Sequence, residues 1–327
     1  MLSVIQKIHK YLADDIEAMN GIIVDNLSAD EELITLVSSH LANSGGKRLR
    51  PVLAILSARL FGYRGENILR LATSVEFIHM ATLLHDDVVD DSKMRRFLPS
   101  ANVIWGNNAS ILVGDFLFSQ AFKLMVSTKI MPALEVLSST SAIIIEGEVS
   151  QLVQLEQKKS LNEADYLKII NAKTAALFGA SCEVGAIVAD KLEYAARLKE
   201  FGMCLGIVFQ IADDALDYFS ESEKVGKNIG DDFFEGKITL PLILLEQKIS
   251  DQDQQKLKAM LQQKVRTQDE LIWVQNLMKE HDIQSAISSY LEKPVKKTYD
   301  ALEKIDIENQ CKEYMKEMVE FASSRTY

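Results

Sequence analysis

The sequence predicts an all-α fold of roughly ten or more helices. Apolar residues recur at spacings of three and four, as in segment 192–209, and segment 138–147 is apolar nearly all round, which predicts a central helix. Only five prolines occur in 327 residues, and none lies between Pro132 and Pro241. No linker, repeat or low-complexity tract divides the chain, so we predict a single domain over residues 1–327.

Composition narrows the class of protein. The chain is 47% hydrophobic and 25% charged, which is typical of a globular protein, and its net charge of −11 argues against nucleic-acid binding. Cys182, Cys204 and Cys311 have neither disulfide-type nor metal-type spacing. The N-terminal segment lacks the apolar core of a signal peptide, and we expect no apolar stretch long enough to span a bilayer. These features predict a cytoplasmic protein without a membrane anchor.

The stretch "LLHDDVVDDSKMRR" places four aspartates beside strongly apolar sequence. On a helix Asp86 and Asp90 share one face, and Asp87 and Asp91 share another. Like charges at this spacing destabilise a helix. A solvated acidic face is the ordinary interpretation of a charge run, but the preceding "VEFIHMATLL" belongs in a core. The aspartates are therefore candidates for a binding site.

A second copy of the pattern lies at "FQIADDALDYF". Asp213, Asp214 and Asp217 again read Asp-Asp-x-x-Asp, and Gln210 lies one turn earlier on the same helical stripe. One such motif is weak evidence. Two of them on apolar helices are much stronger, because each helix alone would be a folding liability.

Carboxylates gathered at a cavity are stabilised by hard cations. Mg²⁺ is usually held by one or two carboxylates together with substrate phosphates and water. Two facing aspartate clusters therefore predict a site for a Mg²⁺-bound diphosphate, in which the metal reverses the negative local field. On this interpretation the aspartates are metal ligands rather than a general acid and base.

Basic residues that could hold diphosphate occur in two places. "GGKRLRP" puts Lys47, Arg48 and Arg50 after two glycines that allow close backbone approach. A basic helix start on the surface explains that stretch about equally well. His79 lies two turns before Asp86 on the same helix face, where a histidine is ordinarily a core residue. Beside the basic stretch it becomes a candidate phosphate donor.

Six segments together resemble the motifs of the trans-polyprenyl diphosphate synthases: "GGKRLRP", "LLHDDVVDD…MRR", "GEVSQL", "KTAALF", "FQIADDALDY" and "GKNIGDDFFEGKITLPL". They follow that family's order from about residue 40 to 245, and the chain is most similar to bacterial synthases of the octaprenyl type. The resemblance implies the isoprenoid synthase fold, with helices around a deep central cavity, and a homodimer. It also implies Mg²⁺-dependent head-to-tail condensation of isopentenyl diphosphate onto an allylic prenyl diphosphate. The product would be octaprenyl diphosphate for quinone side chains, and its release can involve transient membrane contact.

The resemblance also assigns roles to residues at matching positions. The implied metal ligands are Asp86, Asp90 and Asp213, and the other catalytic residues are Asp87, Asp214, Asp217 and Lys173. The residues implied to bind isopentenyl diphosphate are Lys47, Arg50, His79 and Arg96. Those on the allylic side are Arg95, Lys173, Thr174, Gln210, Lys227 and Lys237. Lys93 and Phe97 depart from the family pattern in the loop after the first motif, and neither removes a diphosphate ligand.

Product length depends on what lies below the first motif. Short-chain members carry a bulky aromatic where this chain has the small residues Ala81 and Thr82, so we expect the growing chain to pass. We predict that the cavity closes deeper, at Phe122, Met125 or Leu137, although plain core packing is an equal alternative for each of these three.

Three other functions are compatible with parts of the sequence. A class I terpene cyclase would share the aspartate motifs but would need no second basic pocket. A noncatalytic subunit of a heteromeric prenyl synthase could lose its aspartates, whereas this chain keeps both sets. A helical scaffold with solvated acidic faces explains the fewest features.

Overall fold

A computed structural model describes residues 3–96, 98–157, 162–219, 229–263 and 265–324. Within these ranges the chain forms seventeen α-helices, one π-helical turn and one two-stranded hairpin, which confirms the all-α prediction. The elements are α1 Val4–Tyr11, α2 Ala13–Leu27, α3 Glu32–Asn43, α4 Leu49–Leu60, α5 Asn67–Val89, β1 Met94–Arg95, β2 Leu98–Pro99, α6 Ala101–Trp105, α7 Asn107–Ser127, α8 Met131–Gln157, α9 Glu163–Ile170, α10 Ala176–Val188, α11 Leu192–Phe219, α12 Asp231–Glu235, α13 Leu240–Glu246, α14 Asp251–Leu261, α15 Gln268–Glu280, α16 Ile283–Glu303 and α17 Gln310–Ser323.

Helices α4, α5, α10 and α11 form the centre of the molecule. Helix α10 is buried at nearly every position, and a Cβ added to Gly206 of α11 would lie 2.7 Å from Ala175 Cα just before α10. That separation leaves no room for a side chain, so the two helices pack backbone to backbone. Buried apolar residues from Ile5 to Ala322 belong to one continuous core. This continuity supports the single-domain organisation, which stays a prediction.

A π-helical turn, Asn171–Ala175, separates α9 from α10. Such turns insert a residue into a helix and are frequent at functional sites. Helix α8 comes very close here, because a Cβ on Gly147 would lie 2.7 Å from the Cβ of Ala172. The missing side chain of Gly147 therefore lets α8 bring Glu148 within hydrogen-bonding distance of Lys173.

Helix α5 ends at its aspartate cluster, and the chain then reverses. Asp90 caps the helix, and Asp91 takes a left-handed conformation with φ 52°. Strands β1 and β2 pair antiparallel with Arg95 opposite Leu98, and Arg96 at the turn has φ 51°. The reversal returns Arg95 to Asp87 at the end of α5, while Arg96 reaches Gly46.

Helix α8 corrects one prediction about the core. Segment 138–147 was expected to be central, and Ile144 is indeed buried. However, Ile143 is 45% exposed and Ile145 is 43% exposed in this chain. The prediction that this segment is a central helix is therefore wrong, because only one side of it packs on the core of the chain.

Helix α7 corrects the expectation about membrane-spanning stretches. By length and composition alone this helix could cross a membrane, so the expectation that no stretch qualifies is wrong. Half of its most apolar window is buried inside the fold, and α7 packs extensively against α5. A core helix of this kind passes the same test of length and composition.

Candidate active site

A cavity of about 980 Å³ opens between the central helices and the segment from α12 to α14. Most of the predicted site residues line this one cavity: Lys47, Arg50, His79, Thr82, Asp86, Asp90, Arg95, Arg96, Lys173, Thr174, Gln210, Asp213, Asp214 and Lys237. Six other predicted site residues are described by the structure but do not line this cavity: Ala81, Asp87, Phe122, Met125, Leu137 and Asp217. Lys227 and Phe97 lie outside the described residues.

Cations balance the first aspartate cluster. Lys173 Nζ lies 3.6 Å from Asp86 Oδ2, and Lys237 Nζ lies 2.7 Å from Asp90 Oδ2. Lys173 also donates a hydrogen bond of 2.7 Å to Glu148, which sequence reasoning had given no role. Burial raises the pKa of Asp86, although Lys173 opposes the rise. Burial and the charge of Asp86 together raise the pKa of Glu148 to about 7.

Asp87 serves a different purpose from its neighbours. Its carboxylate is 1% exposed and accepts hydrogen bonds of 2.9 Å to both oxygens from Arg95 Nε. Asn102 donates a further bond of 3.0 Å to the backbone carbonyl of Asp87. Asp87 therefore faces the protein and orients Arg95 toward the cavity, so its predicted place among the residues that act on substrate is not supported by this geometry.

Neutral donors surround the second aspartate of the second cluster. Tyr166 Oη and Gln210 Nε2 each donate a hydrogen bond of 2.6 Å to Asp214, and Thr174 Oγ1 donates one of 2.8 Å to Gln210. Burial, together with the charge of Asp232, raises the pKa of Asp214 to about 8. Asp213 lines the cavity beside it, where a cation could reach its carboxylate.

Asp217 anchors the segment that closes this side of the cavity. Its Oδ2 accepts a hydrogen bond of 3.1 Å from the backbone N–H of Asp232, and its carbonyl accepts one of 2.9 Å from Gly230. Asp231 and Asp232 then line the cavity. Sequence reasoning missed these two aspartates although "GKNIGDDFFEGK" was singled out, because a motif match without an assigned role does not show which carboxylates face inward.

A basic pocket lies beside the aspartate clusters. The guanidinium of Arg96 packs on Gly46, where an added Cβ would lie 2.7 Å from Arg96 Nη1, so a side chain there would displace the guanidinium. Arg50 Cζ lies 4.6 Å from the centre of the Phe178 ring. Burial lowers the pKa of Arg50 to about 10, which leaves it charged at neutral pH.

An uncharged histidine and a buried acid complete this pocket. Burial, followed by the charges of Arg50 and Arg96, lowers the pKa of His79 well below its ordinary value. His79 is therefore a neutral hydrogen-bonding group. Glu76, a lining residue without a sequence signal, has a pKa raised by burial and lowered by Arg48 and the other arginines. It offsets part of the positive charge that crowds the pocket.

The residues proposed to control product length occupy different environments. Thr82 lines the cavity and donates a hydrogen bond to the carbonyl of His79, while Ala81 is fully buried. Met125 and Leu137 are buried, as a floor would be. Phe122 is 40% exposed in the single chain, unlike Met125 and Leu137, and its role in product length stays a prediction.

The cavity suits a metal ion that arrives with its substrate. Among the described residues no three acidic, histidine or cysteine side chains converge closely enough to enclose an ion. Asp86, Asp90 and Asp213 nevertheless line one cavity and offer the hard oxygen atoms that Mg²⁺ prefers. These three carboxylates therefore fit a cation whose remaining ligands are diphosphate oxygens and water.

Comparisons with known proteins agree with this geometry. The polyprenyl synthetase family model matches residues 31–278. The chain is 44% identical to the octaprenyl diphosphate synthase of Escherichia coli K12 over 240 residues, which are 73% of this chain and 74% of that protein.

Two crystal structures are similar over the whole chain. A polyprenyl synthase from Caulobacter crescentus CB15, complexed with calcium and isoprenyl diphosphate, is 40% identical with a TM-score of 0.94 and covers 99% of this chain and 98% of its own. A decaprenyl diphosphate synthase from Rhodobacter capsulatus is 38% identical with a TM-score of 0.91, covering 99% of both chains. The predicted isoprenoid synthase fold is confirmed, and the chain belongs to the polyprenyl synthetase family, whose members are prenyltransferases.

Proposed function

We propose that this prenyltransferase is a Mg²⁺-dependent synthase that adds isopentenyl diphosphate units to an allylic diphosphate and makes a long trans-polyprenyl diphosphate. One observation carries the proposal: a single cavity contains both aspartate motifs and, beside them, a separate basic pocket. Two diphosphates can therefore bind at once. A terpene cyclase needs only the first of these subsites.

The aspartate side of the cavity suits the allylic diphosphate. Asp86, Asp90 and Asp213 would hold Mg²⁺, which when bound neutralises charge on the leaving diphosphate. Calcium in the Caulobacter structure supports a divalent cation in this role. Lys173 and Lys237 already reach these aspartates, so both ammonium groups lie where a diphosphate would bind.

The basic pocket suits isopentenyl diphosphate. Arg50 and Arg96 supply charged donors, Lys47 lies at the rim, and neutral His79 supplies a hydrogen bond without further repulsion. Fixing the second substrate beside the first converts the condensation into an effectively unimolecular step. Apolar lining such as Phe209 keeps water from an allylic cation.

The assignment of subsites is open to a substrate-specific test. Arg96→Ala should raise the KM for isopentenyl diphosphate by roughly ten- to a hundredfold, because a charge-assisted contact is lost. The KM for the allylic substrate should stay within about twofold. Titration of each substrate at saturating levels of the other measures the two values, and an equal rise in both would contradict the assignment.

We propose an octaprenyl product, supported by the 44% identity to the Escherichia coli octaprenyl synthase. The decaprenyl synthase at 38% identity shows that similar chains make different lengths. Mass analysis of the product formed from farnesyl diphosphate and isopentenyl diphosphate tests the proposal, with a chelator as the metal control. A product that is not a polyprenyl diphosphate, or no consumption of isopentenyl diphosphate, would exclude a synthase.

The route of the growing chain is testable through helix α5. Ala81→Phe should shorten the product by filling space below the first motif, at an overpacking cost of about 1–3 kcal/mol. Met125→Ala should lengthen it, with a loss of stability of about 2–5 kcal/mol because Met125 is buried. Chromatography of the products compares the chain lengths that the two variants make. A stable, active Ala81→Phe enzyme with a full-length product would show that the chain grows elsewhere.

We also propose that the protein works as a homodimer in the cytoplasm, with transient membrane contact for release of its product. Helices α7 and α8 expose apolar side chains that one chain leaves uncovered: Leu112, Phe122, Val126, Met131, Ile143, Ile145 and Val149. A second copy could cover this surface. Sedimentation should give a dimer, and Ile143→Lys together with Val149→Lys should weaken it, whereas a monomeric wild type would refute the proposal.

A further inference from the structure

The short helix α12 delivers four charged residues to the cavity: Asp231, Asp232, Glu235 and Lys237. Its N-terminal side is tied to Asp217. Its C-terminal side leads directly to Lys237, whose ammonium group crosses the cavity to Asp90 at 2.7 Å. The segment from α12 to Lys237 therefore connects Asp217 of the second motif with Asp90 of the first.

Arg266, in the connection between α14 and α15, holds this C-terminal side. Its Nη1 donates a hydrogen bond of 3.0 Å to the carbonyl of Phe234, and its Nη2 donates one of 2.6 Å to the carbonyl of Leu261. These carbonyls belong to the last turns of α12 and α14, where no helical N–H remains to bond them. A cation at two helix C-termini is also favoured by the helix dipoles.

The contact between Arg266 and the backbone is close. Gly236 has φ 82°, and a Cβ there would lie 2.6 Å from Arg266 Nη2. The guanidinium thus packs directly on the residue that precedes Lys237. Among the residues that the structure describes, its hydrogen bonds go to the two carbonyls and none goes to a carboxylate. Arg59 differs, since it pairs with Asp15.

We infer that Arg266 is a positioning residue for the allylic diphosphate subsite: by fastening α12 to α14 it sets where Lys237 meets Asp90 and the diphosphate. This inference rests on the proposed function for the role of Lys237. Arg266 also lines the cavity. Its hydrogen bonds go to backbone carbonyls, however, so the proposed action runs through the backbone of residues 234–237, and the amide exchange below separates it from direct contact with substrate.

The test compares Arg266→Ala with Arg59→Ala, which removes a second half-buried arginine far from the cavity lining. Arg266→Ala should raise the KM for the allylic diphosphate about tenfold and leave that for isopentenyl diphosphate unchanged. Free guanidinium ion should partly restore the affinity. Backbone amide exchange at Asp232 and Lys237 should accelerate, because the Asp232 N–H bonds Asp217 on α11 and the Lys237 N–H bonds the carbonyl of Asp232, and both bonds depend on where α12 is held. Arg59→Ala should lower thermal stability without these effects.

Arg266→Lys serves as the second variant, since it keeps the charge but not the two-pronged donor. Its KM for the allylic diphosphate and its amide exchange rates at Asp232 and Lys237 should lie between those of wild type and Arg266→Ala. Equal changes in both KM values, or unchanged amide exchange at Asp232 and Lys237, would overturn the inference. If wild-type protein failed to condense its substrates, the proposed function would fail, and the amide exchange would still decide the role of Arg266.

Discussion

The two Asp-Asp-x-x-Asp motifs share a sequence pattern, but their middle aspartates have partners of different kinds. In the first motif, on α5, the aspartates have cationic partners: Lys173, Arg95 and Lys237. In the second, on α11, a hydroxyl and a carboxamide hold Asp214, and a backbone N–H bonds Asp217. The middle position of the same motif therefore lies in two different electrostatic environments.

The middle aspartate of each motif shows what the difference means. Asp87 and Asp214 are both nearly inaccessible, at 1% and 4% exposure. Arg95 compensates the charge of Asp87, whereas neutral donors leave Asp214 with a pKa of about 8. We therefore expect the first motif to depend on its ion pairs for stability and the second to tolerate loss of charge.

The largest expected effect belongs to the outward-facing aspartates. Asp86→Asn should lower the condensation rate by about 10³-fold or more, because a carboxylate ligand is lost. Thermal stability should hold or rise, since burial already disfavours the ionised form of Asp86. Asp91→Asn is the control, because Asp91 is exposed in the same cluster and pairs only with Lys93 among the described residues. Turnover of Asp86→Asn near that of the control would defeat the metal-ligand assignment.

A direct comparison of the two middle aspartates comes next. Asp87→Asn should destabilise the fold by about 3 kcal/mol, because it leaves Arg95 without its buried partner. Asp214→Asn should be neutral or stabilising near pH 7, where the raised pKa shows that ionisation of Asp214 is disfavoured. Urea unfolding of the metal-free proteins measures both changes. Losses of similar size would show that the two motifs are held in the same way.

Glu148, beside the first motif, should make the stability of the fold depend on pH. Its pKa rises from an ordinary 4.5 to about 7 in the fold, so the protonated form is favoured in the folded protein. The ionised form therefore costs stability, with no cost below pH 4.5 and an increasing cost up to about pH 7. Relative to wild type, Glu148→Gln should gain about 1–3 kcal/mol across that window. Unfolding in the absence of metal, at about pH 5 and about pH 8, measures the gain.

Glu146→Gln on the exposed side of the same helix is the matched control for Glu148. It should show no such trend with pH. A stability difference between Glu148→Gln and wild type that stays constant from acid to neutral pH would mean that Glu148 is not held in its protonated form by the fold.

The smallest effect concerns the hydroxyl that bonds Asp214. Tyr166→Phe should lower the free energy of unfolding by about 1–2 kcal/mol, since a buried acceptor loses one of its donors. The loss should disappear in the Asp214→Asn background if the two groups act as a pair. An equal loss in both backgrounds would mean that Tyr166 contributes through packing alone. A double-mutant cycle gives the answer.

Local spacing predicted the parts of the site that depend on one helix. Gln210 and Asp214 lie four residues apart and are hydrogen bonded, as their shared stripe implies. The placement of Lys173 and Lys237 in the site came from the resemblance to the family and not from spacing. Their partners, Asp86 and Asp90, lie far away in sequence, so no periodic pattern records the contact.

Single polar residues on apolar helices escaped prediction for a physical reason. Tyr166 and Glu76 are isolated polar residues in helices and belong to no repeated pattern. Their partners lie on other elements of the chain and are brought close only by packing. Exposure was misjudged for a related reason. The apolar character of Phe122 and Ile143 predicts burial, but it does not specify whether the burying surface comes from the same chain.

Because of the π-helical turn at Asn171–Ala175, the site is sensitive to deletion of a single residue as well as to substitutions. Loss of one codon there would allow α9 and α10 to merge into a regular helix. Residues on either side would then be rotated by about 100° relative to each other. Lys173 and Thr174 could no longer both face the cavity while α10 kept its buried contacts. A chain with such a deletion would retain both aspartate motifs, so its sequence would still indicate an intact synthase. Its allylic subsite would nevertheless be misassembled.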